Sequence, residues 1–176
     1  MTGNAATNPP FKPPKTRVWH GYLYRLIGKV HPVKRERIRY YAHAGLAYHG
    51  RMVYTQGPQR SELFHRKPGR FAGAHADCSQ YAASCAHWAG VKGVDASDWT
   101  GTLGKKGKQV QTAHVKPGMF VFFGAPPYVH MGVMGRDMHV LGFGGQSGPD
   151  RNTLAALVGY FAGQGHAGFA FRDITA

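Results

Sequence analysis

At 176 residues the chain is long enough for one compact domain and too short for a two-domain enzyme. Hydrophobic residues make up 43% and aromatics 12%, which excludes a disordered chain, and no run approaches the roughly 18 consecutive apolar residues that span a bilayer. Twenty-two Lys and Arg against eight Asp and Glu give a formal charge of +14, which favours polyanionic partners such as nucleic acid, anionic lipid or an acidic wall polymer.

Residues 1–15 carry Asn, Pro and Lys with little apolar content and read as a flexible tail without the apolar core of a secretory signal. From Thr16 the pattern turns helical. Val18, Tyr22, Leu23, Leu26, Ile27 and Val30 recur at helical spacing until His31-Pro32 stops the run, so residues 16–36 are assigned to a basic N-terminal helix and its exit. A second helix is expected from Lys34, with Ile38, Tyr41, Ala42 and Leu46 inward, Arg35, Arg37 and Arg39 outward, and Gly50 as its stop. The charge is concentrated here, with 14 basic and 2 acidic side chains in residues 1–70.

Between Arg51 and Ala76 the helical period disappears into a Gly-, Pro- and Arg-rich stretch that reads as a long surface loop. Asp77 can then cap a helix from Cys78 to Ala89 that Gly90 ends. Three apolar runs follow, Met119–Phe123, Val129–Met134 and Met138–Phe143, separated by Gly124-Ala125-Pro126-Pro127 and Gly135-Arg136-Asp137, the pattern of an antiparallel meander. A helix over Thr153–Phe161 and a strand over Gly168–Ile174 close the chain, which makes the whole α+β.

Cys78 stands at the first turn of its helix, where unpaired N–H groups and the helix dipole favour a thiolate. Cys85 lies seven residues on, about 10 Å away along a helix and too far for a disulfide, and reads as a small buried hydrophobe. A thiol nucleophile needs a base, and His130, opening the run His130-Met131-Gly132-Val133-Met134, supplies an imidazole on a stiff strand. The histidines total eleven, yet there is no His-Glu-x-x-His and no cysteine pair at zinc spacing, so neither a metal nor a cofactor is expected.

In order, Tyr54-Thr55-Gln56-Gly57, Asp77-Cys78-Ser79-Gln80-Tyr81, Lys116-Pro117-Gly118-Met119-Phe120-Val121-Phe122-Phe123 and His130-Met131-Gly132-Val133 resemble the motifs of NlpC-type papain-like cell-wall cysteine peptidases. The resemblance covers residues 37–176 and is nearest in form to the peptidase domain of endolysins from actinobacterial phages, where an Arg, here Arg60, follows the Tyr-Thr-Gln segment. It implies a papain-like α+β fold with an antiparallel sheet packed on the cysteine helix, and hydrolysis of a stem-peptide amide bond in peptidoglycan, by endopeptidase or amidase cleavage. Cys78 would attack, His130 would shuttle the proton, the Cys78 N–H would hold the oxyanion and Tyr54 would line its side of the site. A monomer is expected, made in a host cytoplasm, phage-encoded, and acting on peptidoglycan and anionic wall polymers.

Three positions depart from the family. Met119 stands where an Asp is usual, and Gln80 where a glycine is usual. The residue that orients the histidine should fall near Leu141–Gly144, none of which can hydrogen-bond an imidazole through its side chain, so His139 or Gln146 is the expected substitute. Should neither serve, the alternative is a basic nucleic-acid- or virion-binding protein on an inactive peptidase-like fold, using Arg35, Arg37, Arg39, Arg51, Arg60, Arg66, Lys67 and Arg70 on phosphates.

Overall fold

The computed structural model describes residues 31–176, so the expected tail over 1–15 and most of the expected helix over 16–36 lie outside the described residues. Helix α1 runs Lys34–Gly45 and passes into a 3-10 turn, Leu46–Tyr48. It buries Ile38, Tyr41 and Ala42, the inward face that the spacing predicts, and also Arg39, which the spacing places outward and which the Glu36 carboxylate pairs at 2.9 Å.

The segment read as one long loop is more ordered than its composition suggests. Val53–Tyr54 (β1) pairs in parallel with His75–Ala76 (β2), and a 3-10 turn, Pro58–Ser61, leads into the single helical turn Glu62–His65 (α2). Glu62 accepts from the backbone N–H of His75 and pairs with Arg66, whose guanidinium also donates to the carbonyls of Ala72 and Gly73. A polar network has replaced the apolar periodicity on which sequence recognition depends.

Helix α3, Cys78–Trp88, is buried on every side except at His87. An all-round buried helix is the centre of a core, and here Tyr41, Phe71 and Trp88 pack edge to face at 5.2 and 5.5 Å between ring centroids. Both cysteines are free and buried. A short helix α4, Thr100–Leu103, follows.

The main sheet has six strands: β3 (Lys108–Val110), β4 (Phe120–Phe123), β5 (His130–Met134), β6 (His139–Phe143), β7 (Pro149–Thr153) and β8 (Phe169–Asp173). Their order across the sheet is β3-β8-β4-β5-β6-β7, and every pairing is antiparallel. The expected meander is β4-β5-β6. The two strands that the sequence did not signal, β3 and β7, are the two edges, where a polar strand needs no buried face. Pro149 opens β7, the strand position where its missing N–H costs least.

Gly118 ends the turn before β4 at φ +86°, and a Cβ there would strike the Arg35 carbonyl, so only glycine lets α1 approach the sheet. Helix α5, Leu154–Gly163, is capped by Thr153, whose hydroxyl accepts from the Ala156 N–H at 3.2 Å. Among the described residues no helix is long and apolar enough to cross a membrane.

Strand alternation divides the core into two layers. Phe120, Phe122, Met131, Val133, Leu141 and Phe143 face α3 and pack with Cys78, Tyr81 and Cys85. Val121, Phe123, Met134 and Val140 face the other way, toward Leu154, Val158 and Phe161 of α5.

Candidate active site

Asp77 fixes the start of α3. Its Oδ1 accepts from the Gln80 N–H and from the Ser79 hydroxyl, both at 2.7 Å, and its Oδ2 accepts from Arg60 Nη1 at 3.0 Å. Arg60 also donates to Ser79 Oγ and to the carbonyls of Ser97 and Asp98, which ties the cap to the loop before α4. Gln80, the residue at the family's glycine position, bonds the same loop through Nε2, to the Ala96 carbonyl at 3.1 Å and the Asp98 carbonyl at 2.6 Å. The larger side chain is therefore a structural tie.

Cys78 is 5% exposed, with its Sγ 3.9 Å from the Thr100 hydroxyl. Burial, and then the Asp77 carboxylate, push the thiol up to about 11, against hydrogen bonds from the backbone amides of Met131 and Ser79 and from Thr100. The helix terminus was expected to favour a thiolate. Desolvation outweighs it, because a buried thiolate loses more hydration than the helix terminus returns.

Tyr54 reaches this neighbourhood because β1 pairs it with Ala76, the residue before the cap. Its ring stands edge-on to Phe143 at 5.4 Å and its hydroxyl accepts from Gln56 Nε2 at 3.3 Å. Burial first, and then negative charge on Cys78, raise the phenol. The long segment from Gln56 to Ala76 has thus not displaced Tyr54 from Cys78.

His130 is buried at the start of β5, opposite Phe123. Its ring stacks on Phe161 of α5 at 5.3 Å and 26°, and on Phe123 at 6.0 Å and 29°. Both belong to the layer that faces away from α3, while the next residue, Met131, belongs to the layer packed on α3. Among the described residues no hydrogen bond joins Cys78 to His130, and the rings on which the imidazole stacks belong to the layer on the other face of the sheet. Burial pushes the imidazole down to about 4, with the Asp77 carboxylate opposing.

The expected orienters do not reach the ring. The β5-β6 register pairs Gly132 with Gly142, and the histidine ring rests over Gly142 and Gly144, where a Cβ would lie 3.7 Å from Nε2 and 3.2 Å from Cε1 respectively. His139 sits at the far end of β6, five residues before Gly144, with Nδ1 at 3.2 Å from the Arg136 carbonyl. Gln146 lies two residues beyond Gly144, exposed, with no hydrogen bond to His130. Thr100, the hydroxyl beside Cys78, was not among the expected site residues; a Thr opening a helix has no sequence signal that separates a site residue from an ordinary start. Among the described residues no group of three His, Cys, Asp or Glu could hold a metal.

No protein-family model matches the chain, and no curated protein matches it in sequence. Solved structures do match in fold. The p60 domain of an antigen from M. avium subspecies paratuberculosis is 13% identical with a TM-score of 0.54, over 82% of this chain and 99% of that one. The peptidoglycan hydrolase RipB from Mycobacterium tuberculosis is 15% identical with a TM-score of 0.56, over 91% of this chain and 79% of its own. The resuscitation promoting factor interacting protein RipA is 12% identical with a TM-score of 0.51, over 72% of this chain and 60% of its own. The fold is thus the α+β papain-like fold of NlpC/p60 domains.

Proposed function

We propose that this chain is a wall-directed binding domain on the NlpC/p60 fold, taking peptidoglycan and its anionic polymers as ligand, with a thiol that does not act with His130. One observation carries the reading: the imidazole stacks on Phe161, on the opposite side of the sheet from Cys78. The sheet side chains in the layer packed on α3, Phe120, Phe122, Met131, Val133, Leu141 and Phe143, are apolar and offer no base. The fold shared with a peptidoglycan hydrolase and the formal charge of +14 support the choice of ligand.

The test is retention on purified peptidoglycan, with free amino groups assayed in the same samples. Retention that falls as salt is raised, equal for wild type and Cys78→Ala, with no release of amino groups, is the expected result. Absence of retention overturns the reading. Release of amino groups that Cys78→Ala abolishes also overturns it.

That last outcome would favour a second reading, motivated by the three donors that converge on Cys78 Sγ, from Met131, Ser79 and Thr100. In it the chain is a phage lysin in which Cys78 attacks a stem-peptide carbonyl as an endopeptidase or amidase, with the Cys78 N–H toward the oxyanion, Tyr54 beside it and His130 brought to the thiol by a one-residue shift of its strand. The mass of the released product would name the bond.

A further inference from the structure

At the end of β5 and β6 remote from His130, the turn between them closes a concavity of about 220 Å³. Arg39 and His43 enter it from α1, one turn apart, and Arg151 enters from β7, where the register sets it beside Leu141. Arg136 and Asp137 come from the turn itself, and His139 from the first position of β6.

Three guanidiniums and two imidazoles thus converge against few carboxylates. Arg39 is paired with Glu36 at 2.9 Å, and Asp137 is the acidic group in the lining. Among the described residues neither Arg136 nor Arg151 makes an ion pair through its side chain. The imbalance is felt by His43, whose imidazole is pushed down by burial first and then by Arg39 and Arg151. Guanidinium forks match the oxygen spacing of phosphate, each able to give two parallel N–H···O bonds.

We propose that this cleft binds a phosphate group of an anionic ligand, held by Arg136 and Arg151 at its mouth and by Arg39 and His43 on its inner wall. The volume admits one phosphate with its nearest ester carbons, so a polymer would be gripped at one repeat. The site is separate from Cys78, and its existence does not depend on the reading of the thiol.

The experiment is a titration of the full chain at constant ionic strength, followed by backbone amide and histidine ring resonances in NMR. Inorganic phosphate and dimethyl phosphate are the probes, and acetate and chloride the controls. Expected are saturable shifts at Gly135, Asp137 and the His43 ring, with affinity about tenfold weaker in Arg151→Gln and in Arg136→Gln, the loss of one charge-assisted contact. Lys92→Gln, an exposed change elsewhere, should leave the affinity unchanged. Saturation by both probes assigns a phosphodiester, and by inorganic phosphate alone a terminal or free phosphate. Shifts reproduced by chloride or acetate, indifference to Arg151→Gln and Arg136→Gln, or saturation by neither probe overturns the proposal.

Discussion

The imidazole of His130 lies nearly parallel to the ring of Phe161, 5.3 Å between centroids, and this stack keeps it neutral and dry on the side of the sheet away from Cys78. Burial there depresses its pKa to about 4. The consequence is a pH dependence of stability with a definite sign.

Unfolded, His130 binds its proton near pH 6.5; folded, only near 4. Between these values the unfolded chain holds more protons, so stability rises with pH across that window and is lost as pH falls from about 6.5 to about 4. The contribution is on the order of 3 kcal/mol. Urea unfolding at pH 7.5 and 4.5 measures it, and His130→Phe should remove its share of the difference and leave that of His43, whose imidazole burial also pushes down. An undiminished difference in that variant would show that other groups carry the acid sensitivity.

The raised thiol of Cys78 predicts slow chemistry. At pH 7 its alkylation by iodoacetamide should run more than about a hundredfold slower than that of a free cysteine, and Cys85, also pushed up by burial, should not react. Asp77→Asn keeps a capping oxygen but removes the charge that raises Cys78, so this thiol should react faster while Cys85 stays silent. A rate unchanged by Asp77→Asn would contradict the electrostatic account.

Met131 lies on the face of β5 that packs on α3, and its backbone amide donates to Cys78 Sγ. Met131→His should bring an imidazole to that face and raise the alkylation rate of Cys78 at pH 7, with a new inflection near the pKa of the introduced group. Because the site is fully buried, the change should cost about 2 kcal/mol of stability, read by thermal unfolding. A stable variant with the wild-type rate would mean that position 131 does not face the sulfur.

Gly118→Ala tests the packing of α1 on the sheet. The positive φ and the Arg35 carbonyl in the path of a Cβ predict a loss of more than about 2 kcal/mol, far above that of an exposed glycine such as Gly163. Denaturant midpoints of the two alanine variants provide the comparison.

The elements that the sequence signalled are those whose side chains pack on a core. Ile38, Tyr41 and Ala42 mark α1; the Asp77 cap and the apolar faces of Tyr81, Cys85 and Trp88 mark α3; the runs around Phe122, Val133 and Leu141 mark β4, β5 and β6. What was missed has no such imprint. The edge strands β3 and β7 pair on one side only, and the β1-β2 bridge is held by backbone bonds and the Glu62–Arg66 network.

At the candidate site the sequence by itself determined that Cys78 opens a capped helix, that His130 opens a strand, and that no polar side chain stands at Leu141–Gly144. Only the tertiary structure decided which face of the sheet each strand residue presents, and with it that Met131, not His130, meets the sulfur. The physical reason is the two-residue period of a strand: a shift of one position exchanges the faces while leaving the hydrophobic pattern nearly the same. In β5 both faces are buried, so apolar Met131, Val133 and Met134 alongside a half-apolar imidazole satisfy either assignment in sequence. The choice was made by neighbours distant in the chain, by Phe161 stacking on one side and by Gly142 of β6 and Gly144 just beyond it, which leave room for the ring.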